Sequence, residues 1–211
     1  CATGLGVDKS KVRTTTRDLI LFPETAVDSR HATAVDNLHI IVGDRSLIGL
    51  EQEMLRQLGR ERRMKEALEP LLSHYDVVLI DTPPSLGLVT INSLVASDGV
   101  LIPVQTEYFA LEGLALLSGT IREVRSLLND RIGVDGVLLT MHSQNLLNKQ
   151  VAGELLENFP ELVISPAIRR NVRLAEAPSH GVPIHLHDPS SAGGKDYQAV
   201  TNVLEQRWGL A

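Results

Sequence analysis

Residues 77–85 read Val-Val-Leu-Ile-Asp-Thr-Pro-Pro-Ser, and no other stretch constrains the fold as much. Four consecutive apolar residues, three of them β-branched, fit a strand buried on both faces, as in a parallel sheet. Asp81 ends the run, and Pro83-Pro84 keeps the chain from continuing as a strand or entering a helix at once. In open α/β sheets, ligands sit just outside the carboxyl ends of the strands. An acid there is placed to hold a metal–phosphate group through Mg²⁺ and its waters. The bland alternative is that Asp81 only caps the turn that follows.

On either side the pattern predicts alternating elements. Further strands are expected at 38–42, 100–104, 136–141 and 162–164. Helices are expected from Thr14–Thr16 to residue 22, twice within 50–72 with Gly59 as the divider, and over 86–95, 110–128, 151–158 and 196–208. In the longest of these, Leu111, Leu114, Leu117, Ile121, Val124 and Leu128 form one apolar stripe. Strands alternating with helices at this spacing imply βαβ units, a mostly parallel sheet and an α/β fold, with residues 1–211 as a single domain. Aromatic residues are only 3%, so the core must come from Leu, Val, Ile and Ala.

Charge and cysteine content narrow the function. The net charge of −6 means that any nucleic-acid contact needs a local basic patch. Cys1 is the single cysteine, which excludes an internal disulfide and a cysteine-held cluster and fits a reducing cytosol. No apolar run approaches the roughly 18 residues that a membrane span requires. Cys1 opens on a glycine-containing loop with no strand before it, which reads as the interior of a domain.

Two constellations carry chemistry. The polar ends of three strands, Asp81-Thr82, Gln105-Thr106-Glu107 and Thr140, would meet at one edge of a parallel sheet. The stretch 168–180 places Arg169, Arg170 and Arg173 within five positions, with no acid until Glu176. Forked guanidinium groups suit a nucleotide or a DNA backbone, whereas the bland reading is a solvated face. His185 and His187, two apart as on a strand, read as structural or surface groups rather than metal ligands.

The order Tyr75-Asp76, Ile80–Gly87, Pro103–Gly113, Arg170–Gly181 and Asp188-Pro189, together with Ala2–Gly6, resembles the ParA/Soj partitioning ATPases over essentially the whole chain. That resemblance implies a deviant P-loop ATPase with a P-loop NTPase-like sheet and helices on both faces. It implies ATP and Mg²⁺ as cofactors, an ATP-dependent homodimer, nonspecific DNA binding and a ParB-type partner that stimulates hydrolysis. A cytoplasmic, nucleoid-associated location follows, without a membrane role. By the same resemblance Asp81 is the acid acting on Mg²⁺ and the attacking water, with Thr82 beside it at the nucleotide. Asn171 is the residue that recognises adenine, with Arg170 next to it, and Arg173 and Arg170 hold the DNA backbone.

Departures from the family pattern carry expectations of their own. No Gly-x-x-x-x-Gly-Lys-Ser/Thr loop occurs in residues 1–211, so the N-terminal βαβ unit with the phosphate loop is expected to be absent. These residues alone should then not hydrolyse ATP. The strand at 77–80 should be left with unpaired backbone and bare apolar side chains. After Met141, where the family often has an arginine turn, His142–Asn145 stands instead, leaving Lys149 as a point charge for DNA. Arg169 stands where proline is usual and should add charge to the patch. The alternative reading is a degenerate, non-catalytic dimerisation module. A MinD-like membrane-positioning ATPase fits less well, because residues 204–211 carry a single basic residue.

Overall fold

Apolar periodicity and caps set most of the element boundaries in the computed structural model, which describes residues 1–107 and 110–210. Tyr108 and Phe109 of the Pro103–Gly113 motif, and Ala211, lie outside the described residues. The chain begins with a short helix α1 (Thr16–Leu21), an antiparallel ribbon of β1 (His31–Ala32) and β2 (His39–Ile40), then α2 (Leu47–Met54) and α3 (Arg63–Leu68). At the start of α1 the Thr15 backbone N–H and hydroxyl both donate to the Asp18 carboxylate, at 2.8 and 2.9 Å. α4 (Leu88–Ala96) leads into β3 (Gly99–Gln105), followed by α5 (Ala110–Leu127), β4 (Gly133–Thr140), α6 (Leu146–Asn158) and β5 (Val163–Ile164). The chain then forms α7 (Val172–Glu176), α8 (Ile184–His187) and α9 (Ala192–Arg207).

The main sheet has the order β3-β4-β5, every pair parallel, as βαβ connectivity requires. Alternation along the strands sorts side chains to two faces. Ile102, Val104, Val137 and Leu139 meet Leu94 and Val95 of α4, Leu114, Ile121 and Val124 of α5, and Val151 and Leu155 of α6. On the opposite face Leu138 and Ile164 pack with Val200 of α9, joined by Leu101 and Leu174. Helices therefore cover both faces of a parallel sheet, and the class is α/β. Gly136 permits close strand pairing: a Cβ there would lie 2.5 Å from Ile164 Cδ1. A second core joins α1, α2 and α3 through Leu19, Ile20, Leu50, Met54, Met64 and Leu71.

Several boundaries differ from the sequence reading. α6 begins at Leu146 because Asn145 accepts from the Asn148 backbone N–H at 2.8 Å, and α9 begins at Ala192 because Ser191 accepts from Gly194 N–H at 3.0 Å. His185 and His187 lie on α8, not on a strand.

The largest difference concerns residues 77–80. Among the described residues no strand pairs with them. Val77 is 39%, Val78 41% and Leu79 77% exposed, while Ile80 rests against the α1–α3 core. Among the described residues no strand pairs with β3 on the side away from β4. Of the four apolar side chains at 77–80, Ile80 packs on a core while Leu79 stays largely open, so the stretch is not covered on both faces among the described residues.

Candidate nucleotide and nucleic-acid site

The site grows from the carboxyl ends of these chain segments. Asp81 ends the 77–80 run with its carboxylate 74% exposed. Its one side-chain hydrogen bond among the described residues comes from Cys1, whose Sγ–H donates to Oδ2 at 2.9 Å. Thr82 is exposed beside it. From Cys1 the chain makes a tight turn closed at Gly6, where φ is 70°. That turn packs on residues 177–181: a Cβ on Gly4 would touch Pro178 at 3.7 Å, and one on Gly6 would meet the Gly181 carbonyl at 3.0 Å. The segment 177–181 directly follows α7, whose first residue comes after Asn171. Residues 1–6 therefore connect Asp81 to the segment 177–181, which follows the helix that Asn171 caps.

Asn171 caps α7, its Oδ1 accepting from the Arg173 backbone N–H at 2.8 Å. This commits the oxygen and leaves the two Nδ2 hydrogens as what the side chain has to offer. Residues before Asn171 are fixed on two sides. His142 and Arg169 form a parallel bridge, with His142 N–H donating to Ile168 O and Arg170 N–H to His142 O, both at 3.0 Å. Met141 turns the chain into that bridge with φ 50°, in the left-handed region. On the other side the buried Asp196 of α9 accepts from Arg169 N–H at 3.0 Å and from its Nη2 at 2.7 Å.

Sequence reasoning missed a polar link between strand ends. The buried Asn148 donates through Nδ2 to the Thr106 carbonyl after β3, and its Oδ1 accepts from Ser143 N–H at 2.9 Å after β4. The only signal was an amide three residues after the cap Asn145. Thr106 itself is 1% exposed, and its hydroxyl has no hydrogen-bond partner among the described residues.

The arginine run is the clearest correction to the sequence reading. Arg169 adds no free charge, because its guanidinium forks onto Asp196. Arg173 donates from Nη1 to Glu176 at 2.8 Å and lies 3.4 Å from Asp188 through Nε. Arg170 is exposed, and no ion pair engages it among the described residues. Lys149 is exposed on the first turn of α6, beyond the His142 bridge that also holds Arg170.

The Arg169 side chain holds the Asp196 carboxyl below the usual carboxylate range, with burial acting in the opposite direction. A depressed folded value stabilises the fold above the ordinary carboxylate pKa of about 4 and is lost as pH falls through the folded value. Asp196→Ala is expected to lower unfolding stability by about 2–3 kcal/mol, because it strips a charged acceptor from a buried backbone N–H. Calorimetry should show a midpoint roughly 5–10 °C lower at neutral pH, with the gap closing in acid.

The residues present fit part of a Mg–nucleotide site. One exposed carboxylate is what Mg²⁺ usually takes from a protein when phosphate oxygens fill the remaining positions. The capped amide of Asn171 suits a base. Among the described residues there is no cluster of three or more metal-ligating side chains, and no helix is long and apolar enough to cross a membrane.

Comparisons with known proteins agree with this geometry. A family model described as an AAA domain matches residues 1–134. The sporulation initiation inhibitor protein Soj of Bacillus subtilis is 46% identical over 196 residues, which covers 92% of this chain and 78% of that protein. The chromosome partitioning protein ParA of Caulobacter vibrioides is 42% identical over 210 residues, 98% of this chain and 79% of the relative. Among solved structures, cobyrinic acid a,c-diamide synthase from Mycobacterium smegmatis, with bound ATP analog and magnesium, superposes with a TM-score of 0.81 at 28% identity. That match covers 97% of this chain and 77% of the other.

Proposed function

The chain belongs to the ParA/Soj family of partitioning ATPases, and from that premise we propose that the full-length protein uses ATP to switch a DNA-bound dimer on and off. In this reading a ParB-type partner stimulates hydrolysis and release, and the protein works in the cytoplasm on the nucleoid. The observation that carries it is the exposed Asp81 carboxylate beside Cys1, whose turn packs on residues 177–181 just after the helix that Asn171 caps.

Each residue then has a task. Asp81 holds Mg²⁺ through water and orients the attacking water, with Thr82 beside it. Mg²⁺ held there would supply charge neutralisation for the terminal phosphates. Asn171 offers its Nδ2 hydrogens to acceptors on adenine, and Arg170 lies next to it. Arg170, Arg173 and Lys149 meet DNA phosphates. The phosphate cradle comes from residues outside 1–211, so the stretch 1–211 by itself does not hydrolyse ATP. The missing Gly-x-x-x-x-Gly-Lys-Ser/Thr loop is also what favours the second reading, a non-catalytic dimerisation module.

Titration of the full-length protein with fluorescent ATP and ADP, followed by DNA binding across a salt series, tests the proposal. The ATP state should bind random-sequence duplex DNA, with log K falling by about 0.9 per phosphate neutralised for each unit of log salt. Nucleotide binding without hydrolysis, even with the partner present, would favour the module. DNA binding that ignores both nucleotide and salt would overturn the proposal.

A further inference from the structure

We propose that Glu176 and Asp188 form a latch that holds the Arg173 guanidinium away from DNA phosphate, so that the affinity of this surface for DNA is set below what its arginines could deliver. The inference rests on the reading that Arg173 contacts DNA. Arg173 Nη1 donates to Glu176 Oε2 at 2.8 Å, and Nε lies 3.4 Å from Asp188 Oδ2. The two carboxylates approach from different elements, Glu176 on α7 itself and Asp188 after α8, so the guanidinium is held on two sides.

Asp188 is itself fixed. It accepts from the Ser191 backbone N–H at 3.0 Å and the Ser190 hydroxyl at 2.9 Å, which ties it to the start of α9. The same Glu176 oxygen that takes Arg173 lies 3.9 Å from His187 Nε2, and the His187 ring stacks on His180 at 4.8 Å. Asp188 therefore stays in place when Arg173 leaves, ready to take it back. The side chain of Arg173 is 55% exposed, so phosphate can reach it from solvent. A phosphate that engages Arg173 must compete with two anions already seated there, and it also meets their repulsion. Exposed ion pairs are weak, so the latch attenuates binding without abolishing it.

The test is a mutant cycle on the full-length protein in its ATP state, read as affinity for a random-sequence DNA duplex. Glu176→Gln should tighten binding about threefold, the size of one exposed ion pair, and Glu176→Gln with Asp188→Asn about tenfold. The salt slope should steepen by about 0.9 as Arg173 becomes a full phosphate contact. In an Arg173→Ala background the same acid substitutions should change affinity little. Equal gains with and without Arg173 would mean general charge removal and overturn the latch. Loss of affinity in Arg173→Ala but no gain in Glu176→Gln would also overturn it. If Arg173→Ala has no effect on affinity, the DNA reading fails instead. Circular dichroism and thermal melting of each variant separate these outcomes from unfolding, and Glu176→Gln alone leaves the Asp188 turn intact.

Discussion

Asp81→Ala in the full-length protein is expected to lower ATP turnover at least about 100-fold, while in residues 1–211 alone it should shift the thermal midpoint by no more than about 2 °C. The two halves of this expectation come from different observations. Stability should barely change because the carboxylate is 74% exposed and its hydrogen-bond partner among the described residues is the thiol of Cys1. Substitutions at exposed sites with few contacts stay within about 0.5 kcal/mol. Turnover should collapse because a positioned acid–base or metal-holding group contributes factors of about 10² to 10⁴ to a rate. Asp81→Asn keeps the size of the side chain and removes its charge, so it should lose turnover to a similar degree. Nucleotide affinity should fall less than turnover, since base recognition and the phosphate cradle lie elsewhere. Single-turnover phosphate release beside equilibrium binding separates the two effects. Turnover within tenfold of the unsubstituted protein would remove Asp81 from the reaction.

Legibility of the fold in the sequence follows from the range over which each signal acts. β3, β4 and α5 were readable because their apolar spacing is local and unbroken. The starts of α6 and α9 were read late because single hydrogen bonds from Asn145 and Ser191 decide them, and these residues look like ordinary loop polars. α7 and α8 are too short to show a period. The arginine run was legible as composition but not as electrostatics. The acid that takes Arg169 arrives from far along the chain, since Asp196 lies 27 residues beyond it, whereas Glu176 is only three beyond Arg173. The 77–81 run was legible as a pattern, apolar residues ending in an acid and two prolines, although no strand pairs with it among the described residues. The link from Asp81 to residues 177–181 was not, since it runs through the packing of residues 1–6, which only coordinates reveal.

The second large effect concerns the stretch 77–80. We expect a strand from outside residues 1–211 to pair with it in the full-length protein, and amide hydrogen exchange measures this directly. In residues 1–211 alone, the 77–80 amides should exchange near the unprotected rate, since no strand partner among the described residues holds them. In the full-length protein they should slow by about 10³-fold or more, as for core strands. Leu79→Lys gives an independent reading. Leu79 is 77% exposed here, so a lysine should be harmless in residues 1–211 and should suppress their self-association by charging an open edge. In the full-length protein the same change would bury an ammonium between packed layers and should cost several kcal/mol, about 3 or more. A single substitution that is benign in the shorter chain and disruptive in the longer one cannot arise from local propensity, which is identical in both. It requires that the added residues cover Leu79. Fast exchange at 77–80 in both chains, with Leu79→Lys tolerated in both, would mean that this run of apolar residues is never paired and that Asp81 does not stand at the end of a sheet strand.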